Sequence, residues 1–68
     1  MAKNFGIVGA NEYKGMTLED AQKVAEQNGF VTRIVEVDGN SLMLTMELRN
    51  NRINFRVKKG IVIEAYPG

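Results

Sequence analysis

Ser41 is the only serine in this 68-residue chain, which has no histidine and no cysteine. Without His or Cys a hydrolytic triad cannot be assembled. Disulfides, thiolate chemistry and cysteine zinc sites are excluded as well. Lysines and carboxylates remain as possible reactive groups, but so short a chain has little room for a deep pocket. The composition therefore argues against an enzyme, and no metal or cofactor is called for. Arg49, Arg52, Arg56, Lys58 and Lys59 place five of the nine basic residues in eleven positions, with Phe55 among them. Such a stripe could track phosphates while the ring stacks on a base. Against that, the net charge is only +1, aromatic residues are 7% of the chain, and no nucleic-acid motif is present. Basic residues at alternate strand positions usually form a solvated face, so the partner expected is neither nucleic acid nor a membrane. A second charged group, Glu47 with Arg49 or Arg52, reads from the residues as a surface ion pair, usually worth well under about 1 kcal/mol.

The elements that must carry these residues form one small domain. Apolar residues are 44% of the chain and charged residues 25%, the balance of a folded soluble domain. No apolar run approaches the length of a membrane span. The first ten residues are too short and too weakly apolar for an intact signal peptide, so the compartment is open: internal, or secreted or periplasmic if a signal has been removed. Residues 1–13 read as an irregular arm or short strand that packs onto a domain of residues 14–68. Thr17 and Asp20 have the form of a capping box, and Leu18, Ala21, Val24 and Ala25 share one helical face. With Asn28-Gly29 as the stop, a helix is predicted over 17–28. Phe30 to Val37 predicts a strand apolar on both faces, with Val31, Ile34, Val35 and Val37, central or parallel and covered on each side. Residues 52–58 and 61–66 predict a hairpin around Lys59-Gly60. The fold class expected is α+β, one helix on a small mixed sheet.

The segment from Leu42 to Arg52 has two readings. In the plainer one it is a strand, with Leu42, Leu44, Met46 and Leu48 on one face and an Asn50-Asn51 turn after it. In the other it is an exposed loop over about residues 39–50 with its tip near Met46.

The second reading is the one that a family resemblance favours. The run from Gly15 to Val24 resembles the helix start of the potato inhibitor I family of serine-protease inhibitors. The run Thr45-Met46-Glu47-Leu48-Arg49-Asn50-Asn51-Arg52 resembles that family's reactive loop. The likeness continues through Ile53-Asn54-Phe55-Arg56-Val57 and covers roughly residues 14–68. Asp38-Gly39 before the loop and Asn54 after it resemble the bacterial, elastase-inhibitor-like branch. The resemblance implies an extended protease-binding loop, Leu44, Thr45, Met46, Glu47, Leu48 and Arg49, with the scissile bond at Met46-Glu47. It implies bracing from below by Arg52 and, at the position of a second arginine in the plant inhibitors, by Asn54. Leu48 stands where the family has an aromatic residue. The implied partner is a serine protease of the subtilisin, chymotrypsin or elastase type, since an unbranched apolar Met46 does not suit trypsin's acidic pocket.

The physics of such a loop is consistent with the likeness. A protease reads extended backbone, and a loop already fixed in that shape has little ordering entropy left to lose on binding. Two alternatives stay open from sequence: a non-inhibitory interaction module on the same fold, and a weak single-stranded nucleic-acid-binding domain.

Overall fold

The computed structural model of the chain describes residues 12–45, 47 and 49–68. One helix, α1 (Leu18–Gln27), precedes four strands: β1 (Val31–Val37), β2 (Asn40–Ser41), β3 (Arg52–Lys58) and β4 (Ile61–Pro67). The strands form one sheet in the order β2-β1-β3-β4. β1 and β3 run parallel, and the two outer pairs are antiparallel. The fold is α+β, a helix packed on a small mixed sheet.

Local chemistry sets the helix ends. Thr17 has extended backbone and its Oγ1 accepts a hydrogen bond from the Asp20 N–H at 3.2 Å. Glu19 and Asp20 place negative charge in the first turn, where the helix dipole favours it. At the other end Gly29 takes φ 87°. The Phe30 N–H reaches the Ala25 carbonyl at 2.9 Å and the Gly29 N–H reaches Glu26 at 3.0 Å. These two bonds make a Schellman cap, which a residue with a Cβ at position 29 would strain.

β3 is the spine of the molecule because its two faces differ. Ile53, Phe55 and Val57 turn toward the helix and join Tyr13, Ala21, Ala25, Val62 and Ala65 in the buried core. The small Ala21 and Ala25, both fully buried, let the helix lie close to the sheet. The Tyr13 and Phe55 rings meet at 5.6 Å, so Tyr13 packs into the core of the domain. Residues 1–11, which make up nearly all of the expected arm, lie outside the described residues. Arg52, Asn54 and Arg56 alternate with the core residues and so occupy the face of β3 that the helix does not cover.

Two expectations need correction. β1 is central, but Val31, which shares with Arg52 the side of the sheet without a helix, is 41% exposed, and Val37, at the end of the strand, is 37% exposed. The break after Val37 is a tight hairpin. Asp38 and Gly39 both take positive φ (51° and 86°), and Asn40 and Ser41 pair back onto Val37 and Glu36 as β2. Irregular structure accordingly begins at Leu42 and not at 39, and the described residues among 42–51 lie in no strand. The plainer strand reading fails for its first half. Leu42 and Leu44 lie in no strand, and they are 43% and 40% exposed.

The parallel pairing dictates this segment. Val31 lies beside Arg52 and Val37 beside Val57, so the chain leaves β1 at one end of the sheet and must re-enter β3 at the other. At about 3.3 Å per residue the return covers roughly 20 Å. β2 and residues 42–51 make that crossing where a parallel pair would usually have a helix.

Candidate functional site

Residues 42–51 hold most of the sequence-predicted site. Leu44, Thr45, Glu47 and Arg49 are exposed and outside regular structure. Met43 is 101% exposed, as open as an isolated side chain. Met46 and Leu48 lie outside the described residues, although Thr45, Glu47 and Arg49 on either side of them are placed. The segment is tethered at both ends: the Leu42 N–H donates to Val35 at 3.0 Å, and Asn51 accepts from the Val31 N–H at 2.9 Å.

Arg52 is the strongest contact beneath it. As the first residue of β3 it is held in the sheet, and only 7% of it is exposed. Its Nη2 donates to the Glu47 carbonyl at 3.0 Å. The same guanidinium donates through Nε and Nη2 to the Gly68 carbonyl, at 3.2 and 2.7 Å. Its Nη1 also lies 3.8 Å from the Glu47 carboxylate, which Arg49 Nε approaches to 3.5 Å. These carboxylate contacts are exposed on the Glu47 side and contribute little. The carbonyl contacts matter more, because a nearly buried cation fixes two backbone points at once.

Gly68 closes the arrangement. Its carbonyl also accepts from the Arg49 N–H at 3.4 Å, and its own N–H donates to the Arg52 carbonyl at 3.2 Å. Sequence reasoning missed this residue. The roles are carried by its backbone, and its placement follows from the register that sets Pro67 opposite Ile53.

Among the described residues Asn54 does not brace the loop directly. It is 1% exposed, and among the described residues no hydrogen bond joins it to the loop. Its side chain is too short to leave the sheet, and its Oδ1 instead accepts from Arg33 Nε at 2.9 Å. Arg33, one strand away on β1, was another residue not singled out by sequence. The available signal was the one cation of a strand otherwise rich in valine and isoleucine.

The basic stripe is largely spent within the molecule. Arg56 donates to Glu36 and Glu64 on the flanking strands, and Arg49 and Arg52 face Glu47. Among the described residues no group of acidic residues could hold a metal ion. No family model, curated protein or solved structure matches this chain.

Proposed function

We propose that this chain inhibits serine proteases by presenting residues 44–49 as a substrate-like loop, with Met46-Glu47 as the scissile peptide. It acts as a tight, slowly cleaved ligand and not as a catalyst. The observation that carries the reading is the Arg52 guanidinium gripping the Glu47 carbonyl from within the sheet. Together with the resemblance of residues 14–68 to the potato inhibitor I family, it supports a loop stiffened from beneath.

The grip has a chemical consequence. Attack of a protease serine on the Met46 carbonyl gives an acyl-enzyme and frees the Glu47 amine. In an ordinary substrate that amine diffuses away and water takes its place. Here Glu47 stays tied to the body through Arg52, so the amine remains beside the ester and re-forms the peptide faster than water hydrolyses it. Met46 supplies an unbranched apolar side chain for a subtilisin-, chymotrypsin- or elastase-type pocket.

Inhibition of subtilisin and chymotrypsin by the parent chain, Met46→Asp and Arg52→Ala tests the proposal. The parent inhibits and stays largely intact. Met46→Asp loses inhibition, because its carboxylate cannot enter an apolar pocket unpaired. Arg52→Ala is cut rapidly between residues 46 and 47. A parent chain that is degraded as fast as casein, or that leaves every such protease fully active, ends the proposal.

A further inference from the structure

Arg33, Asn54 and Gly68 meet on the helix-free face of the sheet, one row from Arg52. Asn54 is 1% exposed, so its amide must find partners inside the protein. Its Oδ1 takes the Arg33 Nε–H at 2.9 Å. Its Nδ2 lies against Gly68 so closely that a Cβ on that glycine would stand 3.1 Å away. Gly68 presents the carbonyl on which the Arg52 guanidinium and the Arg49 N–H both rest. From Arg33 to Glu47 the contacts are continuous: Arg33 to Asn54, Asn54 to Gly68, Gly68 to Arg52, Arg52 to Glu47.

We propose that Arg33 is a positioning residue for the loop, holding the Asn54 amide against Gly68 and so fixing the support on which Arg52 stands. The contrast with Arg56 argues for this role. Arg56, a neighbouring cation on the same face, is matched by two carboxylates on adjacent strands. The Arg33 guanidinium has no carboxylate partner among the described residues, and its one hydrogen bond there goes to Asn54. A charged donor makes that bond stronger than a neutral one. Without it a buried Oδ1 is left unpaired and the amide turns to seek another donor, moving away from Gly68. Among the described residues no hydrogen bond or ion pair joins Arg33 to the loop, so it acts through the residues between. Its effect on loop order stands by itself, whereas its effect on protease resistance rests on the inhibitor reading.

The experiment compares the parent chain with Arg33→Ala, Arg33→Lys and, as a control on the same face, Arg56→Gln. Backbone amide order parameters and the rate of loop cleavage by subtilisin are measured alongside the urea midpoint. In Arg33→Ala the Arg49 and Gly68 amides fall from rigid values of about 0.85 to below about 0.6, while amides in α1 stay rigid. Cleavage quickens about fivefold to tenfold, the effect of losing one hydrogen bond. Arg33→Lys, keeping one charged donor, falls between the parent and Arg33→Ala in both. Arg56→Gln lowers the urea midpoint without loosening Arg49 or Gly68. Unchanged order at those amides in Arg33→Ala overturns the proposal, as does loosening spread evenly over the sheet in both the Arg33→Ala and Arg56→Gln variants. If Arg33→Ala does not fold, Arg33→Gln takes its place in the same comparison. If the parent inhibits no protease, the inhibitor reading fails, and the order parameters still decide the role of Arg33.

Discussion

A single nitrogen of Arg52, Nη2, lies 3.0 Å from the carbonyl oxygen of Glu47 and 2.7 Å from that of Gly68. The first carbonyl belongs to the crossing segment and the second follows the last strand, so one guanidinium joins parts of the chain with no sequence contact between them. The join lies at the end of the sheet where β3 begins, the point to which the parallel crossover must return.

Replacing Arg52 therefore costs stability, and on the proposed inhibitor reading it costs protease resistance as well. Hydrogen bonds to a charged group contribute about 1.5–3 kcal/mol each, and Arg52→Ala removes more than one while adding no unpaired charge. A loss of about 3 kcal/mol or more is expected from urea unfolding. Arg52→Lys keeps the charge but not the fork that reaches both carbonyls, and should lose about half as much. Equal stability of parent and Arg52→Ala would mean that the guanidinium holds nothing.

If Met46 is the side chain that enters the protease pocket, its chemistry selects the enzyme. Met46→Lys should redirect inhibition from chymotrypsin to trypsin, whose pocket carries an aspartate. Since the support lies in Arg52 and Gly68, the urea midpoint should not change. Measured inhibition constants for the two enzymes should cross over, and loss of both activities would place the primary contact elsewhere.

Lys59 takes φ 52° in the β3–β4 turn, followed by Gly60 at 79°. Two positive φ values suit Asn-Gly better than Lys-Gly, because a lysine Cβ crowds its own carbonyl there. The Lys59 N–H donates to Asp38 Oδ1 at 2.7 Å, and an asparagine keeps that donor. Lys59→Asn is expected to stabilise the chain by about 0.5–1 kcal/mol, read from the thermal or urea midpoint.

Arg56 is held above its ordinary pKa by its hydrogen bond to Glu64, then by Glu36. A raised folded-state value favours the charged form, so this stabilisation is complete below the unfolded value and disappears only as pH climbs through the still higher folded one. Deprotonation of Arg56 therefore adds no pH dependence between about pH 6 and pH 10. Salt has a different effect. The side chain is 41% exposed, so screening should narrow the midpoint gap between parent and Arg56→Gln as sodium chloride is raised. A gap unchanged by salt would mean that the arginine contributes packing alone.

The sequence by itself determined whatever is local. Thr17 and Gly29 bound the helix because capping involves residues only a few positions apart, and Lys59-Gly60 fixes the last hairpin for the same reason. The absence of histidine and cysteine removed whole classes of chemistry before any fold was known. The apolar run of β1 already pointed to a central or parallel strand, but only the tertiary structure decided the register that sets Val31 beside Arg52 and Val37 beside Val57, because the alignment of distant strands depends on which faces the helix covers. That pairing sends residues 42–51 back along the sheet, buries Asn54 where alternation alone allowed a solvent-facing position, and brings Arg33 and Gly68 to it. The contacts beneath the loop come from two strands, β1 and β3, and the end of the chain, and their distances to one another exist only once the sheet has formed.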